Sequence, residues 1–103
     1  QLIPEAHYAL GLALEVSGQG QCAIHAYRNA VFLDSDFAQA HWRLGLTLTA
    51  ARQRGLAIAS VRWALKLIPT EHDDRIRHLS DVSREGLTRM MEQTLAWLLL
   101  KTN

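Results

Sequence analysis

The chain has 103 residues, a formal net charge of +1 and 49% hydrophobic residues, a composition typical of one small globular domain. The near-neutral charge gives no indication of binding to nucleic acid or to a membrane surface. The single cysteine, Cys22, excludes an internal disulfide and favours a reducing, cytoplasmic location. No signal sequence is visible, and the leucine run at 98–100 is too short for membrane insertion.

The apolar pattern predicts four helices in the first two thirds of the chain. The predicted spans are 5–17, 21–33, 37–51 and 56–67. The turn Gly18-Gln19-Gly20 separates the first two helices, and Gln53-Arg54-Gly55 separates the last two. Asp34, Ser35 and Asp36 supply capping oxygens for the third helix.

Six residues of the first helix pair recur 34 positions later in the second pair. His7, Leu10, Gly11, Leu14, Ala23 and Ala30 return as His41, Leu44, Gly45, Leu48, Ala57 and Ala64. A period of about 34 residues is typical of a helical-hairpin repeat. A glycine inside a helix costs about 1 kcal/mol relative to alanine, so its recurrence favours close helix packing over a tolerated weak position. The predicted packing residues are Leu10, Gly11, Ala23, Tyr27, Ala30, Leu44, Gly45, Ala57, Val61 and Ala64.

The periodicity disappears after the second pair, and segment 71–82 is predicted to be an irregular, polar linker. His72, Asp73, Asp74 and His78 cluster there without the usual spacing of metal ligands, so no metal site is predicted. A last amphipathic helix is predicted at 83–101, beginning after a Ser83 or Asp81 cap and covering the open side of the fourth helix. Its apolar stripe comprises Leu87, Met90, Met91, Thr94, Leu95 and Leu98.

Trp97, Leu99 and Leu100 do not fit this stripe. They either pack loosely at the chain end or contact another molecule, such as an oligomer partner or a further part of the protein. Charge is also uneven, because residues 37–69 contain five basic and no acidic side chains. This basic layer is either a solvated face or a surface that attracts an acidic segment of a partner.

The repeated residues resemble the tetratricopeptide repeat. The resemblance implies an all-α fold in which repeats at about 4–36 and 37–70 form a short right-handed superhelix, with a C-terminal capping helix. Three features depart from the family pattern. His41 stands in the slot usually held by tryptophan, Ser35 replaces the helix-ending proline, and Arg52 stands where a turn glycine is usual.

In this family the first helix of each repeat lines a concave groove that binds a protein partner. Carried onto this chain, the groove residues are Glu5, Tyr8, Leu12, Glu15, Gln39, Trp42, Arg43, Leu46 and Thr49. Tyr8 and Trp42 lie 34 positions apart, so we expect two neighbouring, exposed aromatic anchors unless further segments of the protein cover them. Tyr8 and Leu12 stand at the positions of the lysine and asparagine of chaperone-binding members, which favours an apolar or aromatic-mediated contact.

A narrower resemblance is to the repeat tail of bacterial chemotaxis-type protein-glutamate methyltransferases. It rests on the run LDSDFAQAHWRLG at 33–45 and on SREGLTRM at 83–90. It implies a non-catalytic regulatory tail whose partner is a chemoreceptor, a signalling protein or its own methyltransferase domain. S-adenosylmethionine would then be bound upstream and not here, and the start at Gln1 fits a fragment of such a protein. The alternative is a stand-alone adaptor or scaffold without an attached enzyme.

Overall fold

The computed structural model describes residues 3–101, which form six α-helices and one 3₁₀ turn without any β-strand. The helices are α1 (Ile3–Val16), α2 (Gly20–Leu33), α3 (Ala38–Ala50), α4 (Arg54–Leu67), α5 (Asp73–Leu79) and α6 (Arg84–Leu100), with the 3₁₀ turn at Ile68–Thr70. The prediction of an all-α protein is confirmed. None of these helices combines the length and the apolar character needed to cross a bilayer.

The four helices of the two pairs begin and end within two residues of their predicted positions. The prediction of an irregular linker at 71–82 is wrong, because α5 occupies seven residues of it. A helix of two turns is too short for a periodic apolar stripe, and Ile76 is the one residue that α5 buries. Asp73 and Asp74 in its first turn and Arg77 and His78 in its last turn complement the helix dipole.

The turns inside the two helix pairs match bond for bond. Gln19 N donates to Leu14 O at 2.8 Å, and 34 positions later Gln53 N donates to Leu48 O at 3.0 Å. The residue before each of these donors has a positive φ, which is 79° for Gly18 and 62° for Arg52. This is the Schellman motif, in which a left-handed residue ends a helix and the next amide bonds back into its last turn. The repeat inferred from the sequence is therefore also a repeat of backbone geometry.

The close packing predicted at the two repeated glycines is present. A Cβ atom on Gly45 would lie 2.7 Å from Val61 Cγ2, and one on Gly11 would overlap the ring of Tyr27. Val61 and Tyr27 occupy equivalent positions in α4 and α2. Only glycine allows α1 to approach α2, and α3 to approach α4, this closely.

Leu10 and Leu44 differ in burial although they occupy the same repeat position. Leu44 is 6% exposed, because α3 packs on α2 of the preceding pair. Leu10 is 51% exposed within the described residues, so its predicted role as a packing residue is wrong here. The other predicted packing residues are buried: Gly11, Ala23, Tyr27, Ala30, Gly45, Ala57, Val61 and Ala64.

Helix α6 covers α4, as predicted. Ser83 is its N-cap, since the hydroxyl accepts a hydrogen bond from Gly86 N at 3.1 Å. The buried seam consists of Leu87, Met91 and Leu98, whereas Met90 is exposed and does not belong to the core. The aromatic and leucine side chains at the end of α6 also lie largely at the surface: Trp97, Leu99 and Leu100.

Candidate functional site

Five of the nine predicted groove residues line one cavity of about 220 Å³, which we call the groove cavity. They come from α1 and α3, so both repeats contribute: Tyr8, Leu12, Gln39, Trp42 and Arg43. The opposite wall is formed by the chain's own covering segment, residues 79–90. Its lining residues are Leu79, Ser80, Val82, Leu87 and Met90. The expected groove is thus largely filled by the C-terminal part of the chain.

The prediction of two exposed aromatic anchors is wrong. Tyr8 and Trp42 are each 4% exposed. The ring neighbours of Tyr8 are Phe37, with centroids 5.2 Å apart, and Tyr27, at 5.8 Å. Burial raises the pKa of the Tyr8 phenol to about 12, although the Arg43 guanidinium acts in the opposite direction. Tyr8 and Trp42 are therefore buried walls of the cavity. A partner would bind in the cavity between them and would not rest on an exposed ring.

Glu15 and Arg43 form an ion pair that links the two repeats. Arg43 Nη2 donates to Glu15 Oε2 at 2.9 Å, and the Tyr27 hydroxyl donates to Glu15 Oε1. Burial and the bond to Glu15 raise the pKa of Tyr27, so this hydroxyl remains protonated as a donor. Both side chains of the ion pair are partly buried, and Arg43 also lines the groove cavity. The pair fixes one edge of the cavity.

Gln39 is the unusual residue of the cavity wall. Its side chain is 1% exposed, and Oε1 is buried without a hydrogen-bond partner in the described part of the chain. A buried polar group without a partner costs about 1–3 kcal/mol. One residue of this mixed polar and apolar wall, Gln39, therefore carries an acceptor without a partner among the described residues.

The covering segment is held in place by a charge cluster on α5. Arg75 Nη2 contacts Asp34 Oδ2 at 2.6 Å and Glu5 Oε2 at 2.9 Å, and the guanidinium lies 4.0 Å from the Phe37 ring centroid. Burial lowers the pKa of Arg75, but the bonds to Asp34 and Glu5 outweigh it and the net shift is upward. Glu71 adds a third carboxylate at 3.3 Å from Nη1.

Glu71 also caps a distant helix. It is 5% exposed, and its Oε1 accepts from Ala38 N, in the first turn of α3, at 2.9 Å. The prediction that Asp34, Ser35 and Asp36 cap this helix is wrong, because its N-cap is Phe37, which provides no side-chain hydrogen bond. Glu71 supplies the missing acceptor. Arg84 continues the connection by donating to Glu71 O at 2.8 Å. The local sequence carries no sign of these contacts because they join residues far apart along the chain.

The remaining predicted groove residues lie elsewhere. Glu5 belongs to the Arg75 cluster, and Leu46 packs half-buried against the core. Thr49 donates to Gly45 O at 2.8 Å within α3 and lines a second cavity at the ends of α3 and α6. Sequence reasoning missed Arg75 and the covering residues, although acids at 71, 73 and 74 followed by arginines at 75 and 77 are a signal of ion pairing.

In residues 3–101 no three His, Cys, Asp or Glu side chains are grouped so that they could hold a metal ion. Asp73 and Asp74 pair with Arg84 and Arg77, and His78 Nδ1 bonds the Asp74 carbonyl. Comparison with known proteins finds no family model that matches the chain and no curated protein with a matching sequence.

Proposed function

We propose that this chain is a non-catalytic protein–protein interaction module of the tetratricopeptide type. The observation that carries the proposal is the groove cavity, which lies between α1 and α3 and is lined by Gln39, whose buried Oε1 has no partner among the described residues. A cavity of about 220 Å³ accommodates one apolar side chain of a partner, not a whole helix. A backbone or side-chain N–H of the same partner satisfies the Gln39 carbonyl.

We further propose that the module is the regulatory or partner-recruiting tail of a chemotaxis-type, S-adenosylmethionine-dependent receptor glutamate methyltransferase. Its partner is then a chemoreceptor segment, a signalling protein or its own catalytic domain. The support for this is the sequence resemblance at 33–45 and 83–90. The alternative is a stand-alone adaptor or scaffold with no attached enzyme.

The test is a calorimetric titration of the chain against three probes. These are the catalytic domain encoded upstream in the same reading frame, peptides from a chemoreceptor cytoplasmic tail, and an unrelated helical protein. Saturable binding of either of the first two supports the methyltransferase tail. An upstream frame that encodes no strand-helix domain with a glycine-rich nucleotide loop contradicts it and favours the adaptor.

Gln39→Leu separates binding from folding. Leucine replaces the amide at similar volume and removes the unpaired buried acceptor, so the free energy of unfolding should rise by about 1 kcal/mol. Partner affinity should fall about tenfold because the hydrogen bond to the partner is lost. Thermal melts and the titration above measure the two effects. Gln93→Leu, at an exposed position of α6, is the matched control, and equal affinities of the two variants would contradict the role of Gln39.

A further inference from the structure

A second cavity, of about 230 Å³, lies at the ends of α3 and α6 and at the start of α4, and we call it the basic cavity. It is lined by Thr49, Arg52, Arg54, Trp97, Leu98 and Lys101. In the part of the chain that the structure describes, none of its three cations forms an ion pair, and no carboxylate lines it. Lys101 Nζ lies 5.6 Å from the Trp97 ring centroid.

The repeat provides an internal comparison for this cavity. The turn Gly18-Gln19-Gly20 of the first repeat has the same backbone as Arg52-Gln53-Arg54 of the second, as the matching hydrogen bonds show. Two glycines in the first turn are thus two arginines in the second. Arg52 has φ 62°, a left-handed conformation that glycine adopts more easily than a residue with a Cβ atom. Folding of the turn therefore does not explain the arginines.

Arg54 gives an independent indication of a missing partner. Its Nε is buried and has no hydrogen-bond acceptor among the described residues. A buried guanidinium N–H without an acceptor is unfavourable, and three neighbouring cations repel one another. A carboxylate bound here would accept from the Arg54 fork and relieve the repulsion. Trp97, half-exposed beside it, offers an apolar surface to an adjacent side chain.

We propose that the basic cavity binds an acidic segment of a protein partner, with a carboxylate on Arg54 and an adjacent apolar side chain against Trp97. Charge complementarity selects this occupant. Nucleic acid would need phosphate contacts spread over an extended basic surface. Here three cations line one cavity of about 230 Å³, and the chain has a net charge of only +1. The site is separate from the groove cavity, because the two share no lining residue.

The experiment titrates the 103-residue chain with a capped hexapeptide of alternating Glu and Leu. The same peptide with Gln in place of Glu is the ligand control. We expect saturable binding of the acidic peptide only, weakened by raising the salt from 0.05 to about 0.5 M. Arg54→Gln should weaken it about fivefold, and Arg62→Gln, a cation on the same helix outside the cavity, less than about twofold.

Arg52→Gly is the variant in which a loss of peptide affinity cannot be attributed to misfolding. It restores the residue found at the equivalent turn position, Gly18, and relieves the left-handed strain, so the melting temperature should not fall. Affinity for the acidic peptide should nevertheless fall several-fold. The converse change, Gly18→Arg, should lower the melting temperature and leave affinity unchanged.

Three results would overturn the proposal: equal binding of the acidic and the neutral peptide, equal effects of Arg54→Gln and Arg62→Gln, or tighter binding of a 12-nucleotide single-stranded DNA. Gln39→Leu should leave binding of the acidic peptide unchanged. This result distinguishes failure of the proposal for the basic cavity from failure of the proposed function of the groove cavity.

Discussion

At the scale of single residues, small side chains decide how closely the helices approach. Gly45 lies against Val61, and the matching Gly11 lies against Tyr27. Gly55 is the opposite case, since a Cβ added there would meet no atom within 4 Å. One residue type therefore has two physical roles within the second repeat. The glycine of α3 is required by packing, whereas the glycine in the first turn of α4 is replaceable.

Gly45→Leu should lower the free energy of unfolding by about 2–3 kcal/mol, because the new side chain enters the space of Val61. Gly55→Leu should leave it unchanged or raise it by up to about 1 kcal/mol through helix propensity. Urea denaturation followed by circular dichroism measures both. Equal midpoints for the two variants would show that the contact between α3 and α4 adjusts without penalty.

At the scale of elements, α5 is attached chiefly by charge. It buries one apolar residue, Ile76, while Arg75 contacts carboxylates from three separate parts of the chain. The side chain of Arg75 is 13% exposed, so water screens these pairs only in part. This guanidinium therefore provides the main polar attachment of α5 to the rest of the chain.

Arg75→Gln should destabilise the protein by about 2–3 kcal/mol, because three carboxylates lose their common cation. Arg77→Gln on the same helix is the control. Its pair with Asp74 is largely exposed, and the loss should be below about 0.5 kcal/mol. Hydrogen exchange should show faster exchange of the α5 amides in Arg75→Gln alone. Unchanged protection there would mean that apolar contacts hold α5.

At the scale of the whole molecule, the two ends of the helix stack differ. Helix α6 covers the outer side of α4, whereas within residues 3–101 no helix covers the Leu10 side of α1. Identical residues at equivalent repeat positions therefore contribute differently to stability. Leu44→Ala should cost about 2–4 kcal/mol and Leu10→Ala less than about 1 kcal/mol. Thermal unfolding of the two variants measures this, and equal losses would place Leu10 in a packed environment.

The sequence predicted what depends on local patterns. The 34-residue shift predicted α1 to α4 and their glycine contacts, and one of the two predicted caps, Ser83, begins α6. Five of the nine groove residues do meet in one cavity. Helix α5 was missed because seven residues are too few for an amphipathic period. The burial of Tyr8 and Trp42 was missed because the segment that covers them comes from a distant part of the chain.

The bond between Arg75 and Glu5 spans 70 positions, whereas each helix pair closes through contacts only a few turns apart along the chain. Contacts between distant positions require closure of a long loop, and they contribute most to slow folding. We therefore expect the two hairpins to assemble early during refolding and the C-terminal third to dock last. If unfolding follows the reverse order, detachment of α5 is the first local opening of the native protein.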